Sequence, residues 1–135
     1  MQLHQAQARF LDSSALYRGF VGGRGAGKTY IGAYDLLKRA APGRLYQVIA
    51  PTYPMLKDAC WRTTLELARM LHFLGDVNRS DLRLGLGNGA EVIFRSGDDP
   101  DRLRGPNLSG VWLDEASIME RGVYDVTIAS LRERG

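Results

Sequence analysis

The sequence predicts an α/β fold in which a mainly parallel sheet is layered between helices, and three observations carry that expectation. Gly22-Gly23-Arg24-Gly25-Ala26-Gly27-Lys28-Thr29 fits the phosphate-binding pattern GxxxxGK[ST] at every required position. A candidate buried strand, Leu16 to Val21, precedes it and a candidate helix, Lys28 to Ala41, follows. A second buried run, Leu45 to Ala50, comes next, and strand, helix and strand at this spacing pair in parallel by default. A third, Val111-Trp112-Leu113, runs directly into two acids, Asp114 and Glu115.

Composition narrows the class without naming a function. At 135 residues the chain is one domain at most, long enough to bury roughly two thirds of its unfolded surface. Hydrophobic content of 44% and charged content of 24% are ordinary for a globular protein. No apolar run reaches the length of a membrane-spanning helix. The start, Met1-Gln2-Leu3-His4-Gln5, lacks the basic residues and apolar core of a secretory signal, so the expected location is the cytoplasm. The single cysteine, Cys60, falls in a helical apolar pattern and is expected as a small buried hydrophobe. A net charge of +3 is mildly basic and spread along the chain, with lysine only at Lys28, Lys38 and Lys57. Charge alone therefore does not establish nucleic-acid binding.

Taken in order, Leu3 to Leu11 has helical spacing and is broken by Asp12, Ser13 and Ser14. Gln7 is a candidate to set its amide, both donor and acceptor, against an adenine edge; a solvated glutamine is the competing reading. After the glycine-rich loop, Ile31, Tyr34 and Leu37 repeat at helical spacing up to Pro42-Gly43. Pro51-Thr52-Tyr53-Pro54 ends the second strand. Met55 to Leu74 predicts a core-facing helix through Leu56, Cys60, Thr63, Leu67, Met70 and Leu74, stopped by Gly75. Leu82, Leu84 and Leu86, then Asn88-Gly89, then Ala90, Val92 and Phe94 predict a hairpin. Ser96 to Gly110 reads as a polar loop, and Val123, Val126, Thr127 and Leu131 as a last helix whose pattern stops short, so the domain is expected to continue past Gly135.

These placements predict a chemistry. Backbone N–H groups of Gly22 to Gly27 point inward, and the helix N-terminus adds partial positive charge, so a polyphosphate exchanges its water shell for fixed donors. Lys28 would reach the β- and γ-phosphates and the Thr29 hydroxyl would bind Mg²⁺. Asp114 would hold Mg²⁺ through its water shell, and Glu115 would orient and polarise the attacking water. Neighbouring strand residues point in opposite directions, so two adjacent acids reach one site only at a strand terminus. The expected ligands are ATP and Mg²⁺.

Together the motifs resemble the ATPase domain of the large subunit of tailed-bacteriophage terminases. GGRGAGKT resembles the terminase P-loop, with arginine at Arg24; APTYP, from Ala50 to Pro54, resembles the segment ending the next strand; RLRGPNLSGVWLDEA, from Arg102 to Ala116, resembles the arginine-glycine loop leading into the acidic strand. The resemblance implies a P-loop NTPase three-layer fold of the additional-strand, catalytic-glutamate type, with residues 1–135 as the N-terminal part of the ATPase domain. It implies ATP hydrolysis coupled to packaging of double-stranded DNA into a procapsid, by a homo-oligomeric ring docked on the portal protein and working with the small terminase subunit in the host cell cytoplasm. Arg24 would contact the γ-phosphate. Arg102 or Arg104 would either reach a neighbouring subunit's nucleotide in trans or pair with Asp98, Asp99 or Asp101. The acidic strand is shorter than usual for the family, whose threonine-rich coupling motif would begin beyond Gly135, and no nuclease domain is expected. Two other classes compete. One is a helicase-like P-loop ATPase, whose acidic box Asp114-Glu115-Ala116-Ser117 resembles, although helicases do not generally carry arginine in the P-loop. The other is a nucleotide-binding fragment without turnover. A nucleotide kinase has no need of a water-activating glutamate.

Overall fold

The computed structural model describes residues 17–19, 27–98 and 108–114. These form a sheet of six strands: β1 (Tyr17–Gly19), β2 (Leu45–Ala50), β3 (Leu74–Asn78), β4 (Arg83–Leu86), β5 (Glu91–Ser96) and β6 (Gly110–Leu113). Their order across the sheet is β1-β6-β2-β5-β4-β3. The first four in that order run parallel, and β4 and β3 add an antiparallel edge. The predicted parallel relation of the first two strands is present, with β6 inserted between them and paired to both. The expected helices over Leu3 to Leu11 and from Val123 lie outside the described residues.

α1 (Lys28–Arg39) forms because Ile31, Ala33, Leu36 and Leu37 recur on one side and are buried. Lys38 and Arg39 occupy its last turn, where positive side chains suit the helix dipole, and Arg39 Nε lies 2.8 Å from Asp35 Oδ1 one turn back. The chain leaving α1 is pinned by side chains from the sheet. The Ala41 N–H donates to the Tyr46 hydroxyl at 2.8 Å, and Asn88 Nδ2 donates to the Ala40 carbonyl at 2.9 Å. Asn88 belongs to the β4–β5 turn, whose Oδ1 also accepts from the Ala90 N–H, so the predicted hairpin is fastened to the end of α1.

β2 is buried on both faces, as a central parallel strand must be. Tyr46, Val48 and Ala50 join the main core; Gln47 and Ile49 face the other way and are equally buried. Gln47 Nε2 has no hydrogen-bond partner. The main core lies between the sheet and two helical stretches. Trp61 and Phe94 meet in it edge to face, with ring centroids 5.1 Å apart, an arrangement that contributes about 0.5–1.5 kcal/mol beyond area burial.

The second helical stretch departs from the sequence expectation. Instead of one helix to Leu74, α2 (Tyr53–Met55) passes into a π-helical turn (Leu56–Trp61) and then α3 (Arg62–Met70). The Thr52 hydroxyl accepts from the Met55 N–H at its start. The π turn adds a residue to one turn, so the inward face slips by one position: Thr64 is buried where Thr63 was expected, and Met70 is 63% exposed. α3 ends in a Schellman closure, with the Phe73 N–H on the Ala68 carbonyl (2.8 Å), the His72 N–H on the Arg69 carbonyl (3.1 Å), and His72 left-handed at φ 57°. Leu74 therefore starts β3, an edge strand that the sequence reading missed. The end of the loop read as polar is also buried, at Leu108 and Ser109.

α1 crosses β6 at Gly32, where an added Cβ would lie 2.6 Å from Cζ2 of the buried Trp112 indole. Gly32→Ala should therefore destabilise the fold by about 1–3 kcal/mol despite alanine's better helix propensity, read as a lower urea midpoint. An unchanged or raised midpoint would show that α1 is not seated on Trp112.

Candidate functional site

The described part of the glycine-rich loop is its end. Gly27 precedes α1 at φ 74° and ψ 17°, a left-handed conformation that costs a residue with a Cβ about 1–2 kcal/mol. Its carbonyl accepts the Ile31 N–H at 3.0 Å, so this turn starts the helix. The first turn of α1 contains no acidic residue, which leaves the partial positive charge of the helix N-terminus for an external anion. Lys28 is buried, and Thr29 follows it at half-burial.

Asp114 reaches the same point from the other end of the sequence. β6 is held on both sides, with Leu113 opposite Gly19 of β1 and opposite Ile49 of β2. The Asp114 N–H continues that ladder by donating to the Ile49 carbonyl at 2.9 Å. The residue is only 5% exposed. Burying a carboxylate costs several kcal/mol unless donors replace its water. Here the Thr29 hydroxyl lies 3.2 Å from Oδ2 and 3.4 Å from Oδ1, a contact between residues 85 apart in sequence. The Cys60 thiol donates to Oδ2 at 3.3 Å.

Of the residues singled out in the sequence, the structure thus brings together the start of α1, at Gly27, Lys28 and Thr29, and Asp114. Gln7, Gly22, Gly23, Arg24, Gly25, Ala26, Arg102, Arg104 and Glu115 lie outside the described residues. Cys60 was missed as a member of the site. Its place in an apolar helical pattern gave no sign of a polar contact, because the π turn that carries it has no sequence signature.

The donor set suits what Mg²⁺ requires. A hydroxyl oxygen and a carboxylate are hard ligands, and Mg²⁺ is usually held by one or two carboxylates with water and substrate phosphates completing six positions. Among the described residues no group of three or more His, Cys, Asp or Glu side chains forms a metal cage. The pair therefore fits Mg²⁺ and not a soft metal. Among the described residues, no helix is long and apolar enough to cross a membrane.

Comparison with known proteins leads to one family. A family model described as terminase large subunit, T4likevirus-type, N-terminal, matches residues 20–134. The PBSX phage terminase large subunit of Bacillus subtilis (strain 168) is 28% identical over 120 residues, which take in 86% of this chain and 28% of that protein. The fold is similar to that of the large terminase ATPase domain of Thermus phage P74-26, with a TM-score of 0.78 and 27% identity over 96% of this chain and 60% of that one. It is also similar in fold to the large terminase of a second thermophilic bacteriophage, in complex with ADP, with a TM-score of 0.84 and 17% identity over 98% of this chain and 37% of that one. The chain spans less than two thirds of the length of each of these relatives. Since the family model takes in most of the sequence, this chain belongs to the terminase large subunit family, T4likevirus type, in the N-terminal part that the model describes.

Proposed function

We propose that this chain is the nucleotide-hydrolysing part of a phage DNA-packaging motor, in which ATP hydrolysis drives double-stranded DNA into a procapsid. The observation that carries the reading is the contact of Thr29 Oγ1 with Asp114 Oδ2 at 3.2 Å, beside a helix N-terminus free of acidic residues. Family membership supports it, and so does the ADP complex of the structurally similar large terminase.

In this reading the N–H groups from Gly22 to Gly27 wrap the phosphates and Lys28 neutralises their β- and γ-oxygens. Thr29 and Asp114 hold Mg²⁺, which when bound supplies positive charge against the phosphate oxygens. Arg24 adds a second cation at the γ-phosphate, where charge shifts in the transition state. Glu115 orients and polarises the water for in-line attack. Gln7 lies along the adenine edge, and Arg102 or Arg104 extends toward a neighbouring subunit's nucleotide. The motor would work as a ring of copies on the portal protein, with the small terminase subunit, in the host cytoplasm. DNA backbone contacts would be shared across the ring, because binding needs several neutralised phosphates.

Two substitutions test the reading. Lys28→Ala should remove ATP binding in calorimetry, or lower turnover by about 10²–10³-fold where binding survives. Wild-type affinity and turnover in that variant would contradict the phosphate site. Glu115→Gln should keep ATP affinity and lower turnover by about 10²–10⁴-fold. Normal hydrolysis in Glu115→Gln would show that another group orients the water.

A further inference from the structure

We infer that Cys60 is a positioning residue for Asp114: its thiol, delivered by the π turn, fixes the carboxylate that is to receive Mg²⁺. The inference rests on the nucleotide site proposed above. The Sγ–Oδ2 distance is 3.3 Å, Cys60 is 0% exposed and Asp114 5% exposed. A thiol is a weak donor in water, yet an anionic acceptor in a water-poor setting strengthens the bond. Sulfur is a poor ligand for a hard cation, so the thiol acts on the ion through the carboxylate and not by binding it.

The helix geometry points the same way. π turns are rare, and they occur disproportionately at functional sites. This one, Leu56–Trp61, brings Thr64 into the core, where its hydroxyl has no hydrogen-bond partner. Such an orphaned donor is a cost to the fold. The same turn presents Cys60 to Asp114. The slip thus carries a stability cost at Thr64 and yields a polar contact at the carboxylate. With Cys60 on Oδ2 and Thr29 across both oxygens, the Asp114 side chain is held from two elements. The helix that leaves β2 is then linked directly to the nucleotide site.

Partners that orient a metal ligand typically change metal affinity about 10–100-fold when removed; a thiol, the weaker donor, should give about three- to tenfold. Two measurements on the whole chain test this. The sequence holds one cysteine and hence one S–H stretching band. In the wild type that band should sit below the free-thiol frequency and rise in Asp114→Ala. A band at the free-thiol position, unmoved by Asp114→Ala, would overturn the inference without any change at Cys60.

The second measurement is the Mg²⁺ requirement for ADP binding, followed by calorimetry. Cys60→Ala should raise the half-saturating Mg²⁺ concentration about three- to tenfold, with ADP affinity in EDTA unchanged. Cys60→Ser, which keeps a donor, should stay within about twofold of wild type. An unchanged Mg²⁺ requirement in Cys60→Ala overturns the inference alone. A wild-type chain that binds no nucleotide overturns the proposed function, and this inference with it.

Discussion

The contact between Thr29 and Asp114 is the constraint on which the rest of the structure depends. It joins residues 85 apart, and it exists because the strands that lead to them run parallel and end at one level. Gly19 of β1, Leu113 of β6 and Ile49 of β2 lie in register, so the chain leaves β1 and β6 at the same sheet edge. An antiparallel β6 would carry Asp114 to the opposite edge. The burial of β2 on both faces and the pairing of the Asp114 N–H to Ile49 serve this alignment, since they set where β6 stops.

Packing then fixes the helices relative to that edge. Gly32 lets α1 approach Trp112 closely, and Trp112 is two residues before Asp114 on the same strand. The start of α1 and the end of β6 are therefore parts of one packed unit. At the other end of α1, Tyr46 and Asn88 hold the departing chain, so the hairpin at the antiparallel edge also fixes the helix. The π turn extends the connection to a second helical stretch through Cys60.

Much of the parallel core was legible in the sequence. Leu45 to Ala50 is a continuous apolar run broken only by Gln47, and its strand limits coincide with the expectation. The Leu82 to Phe94 alternation gave the hairpin because one face is buried and period two follows from that. β3 was not legible. Its residues, Leu74-Gly75-Asp76-Val77-Asn78, show little burial contrast, and the strand exists through pairing with β4. The stop before it was hidden as well, since a left-handed histidine took the place usually held by glycine. At the site, the GxxxxGK[ST] spacing and the acidic strand end announced Thr29 and Asp114, because their chemistry demands those residue types at those positions. Cys60 could not be found that way: a regular helical period gives an inward cysteine no polar neighbour.

The most direct measurement of the central claim is a double-mutant cycle between Thr29→Val and Asp114→Asn, read as Mg²⁺-dependent ADP affinity. Two residues that hold one ion must act together, so the double variant should lose less than the sum of the single losses, with a coupling of about 1 kcal/mol or more. Additive losses would mean that the two side chains touch without sharing a ligand, and the account of this edge of the sheet as a nucleotide site would fail.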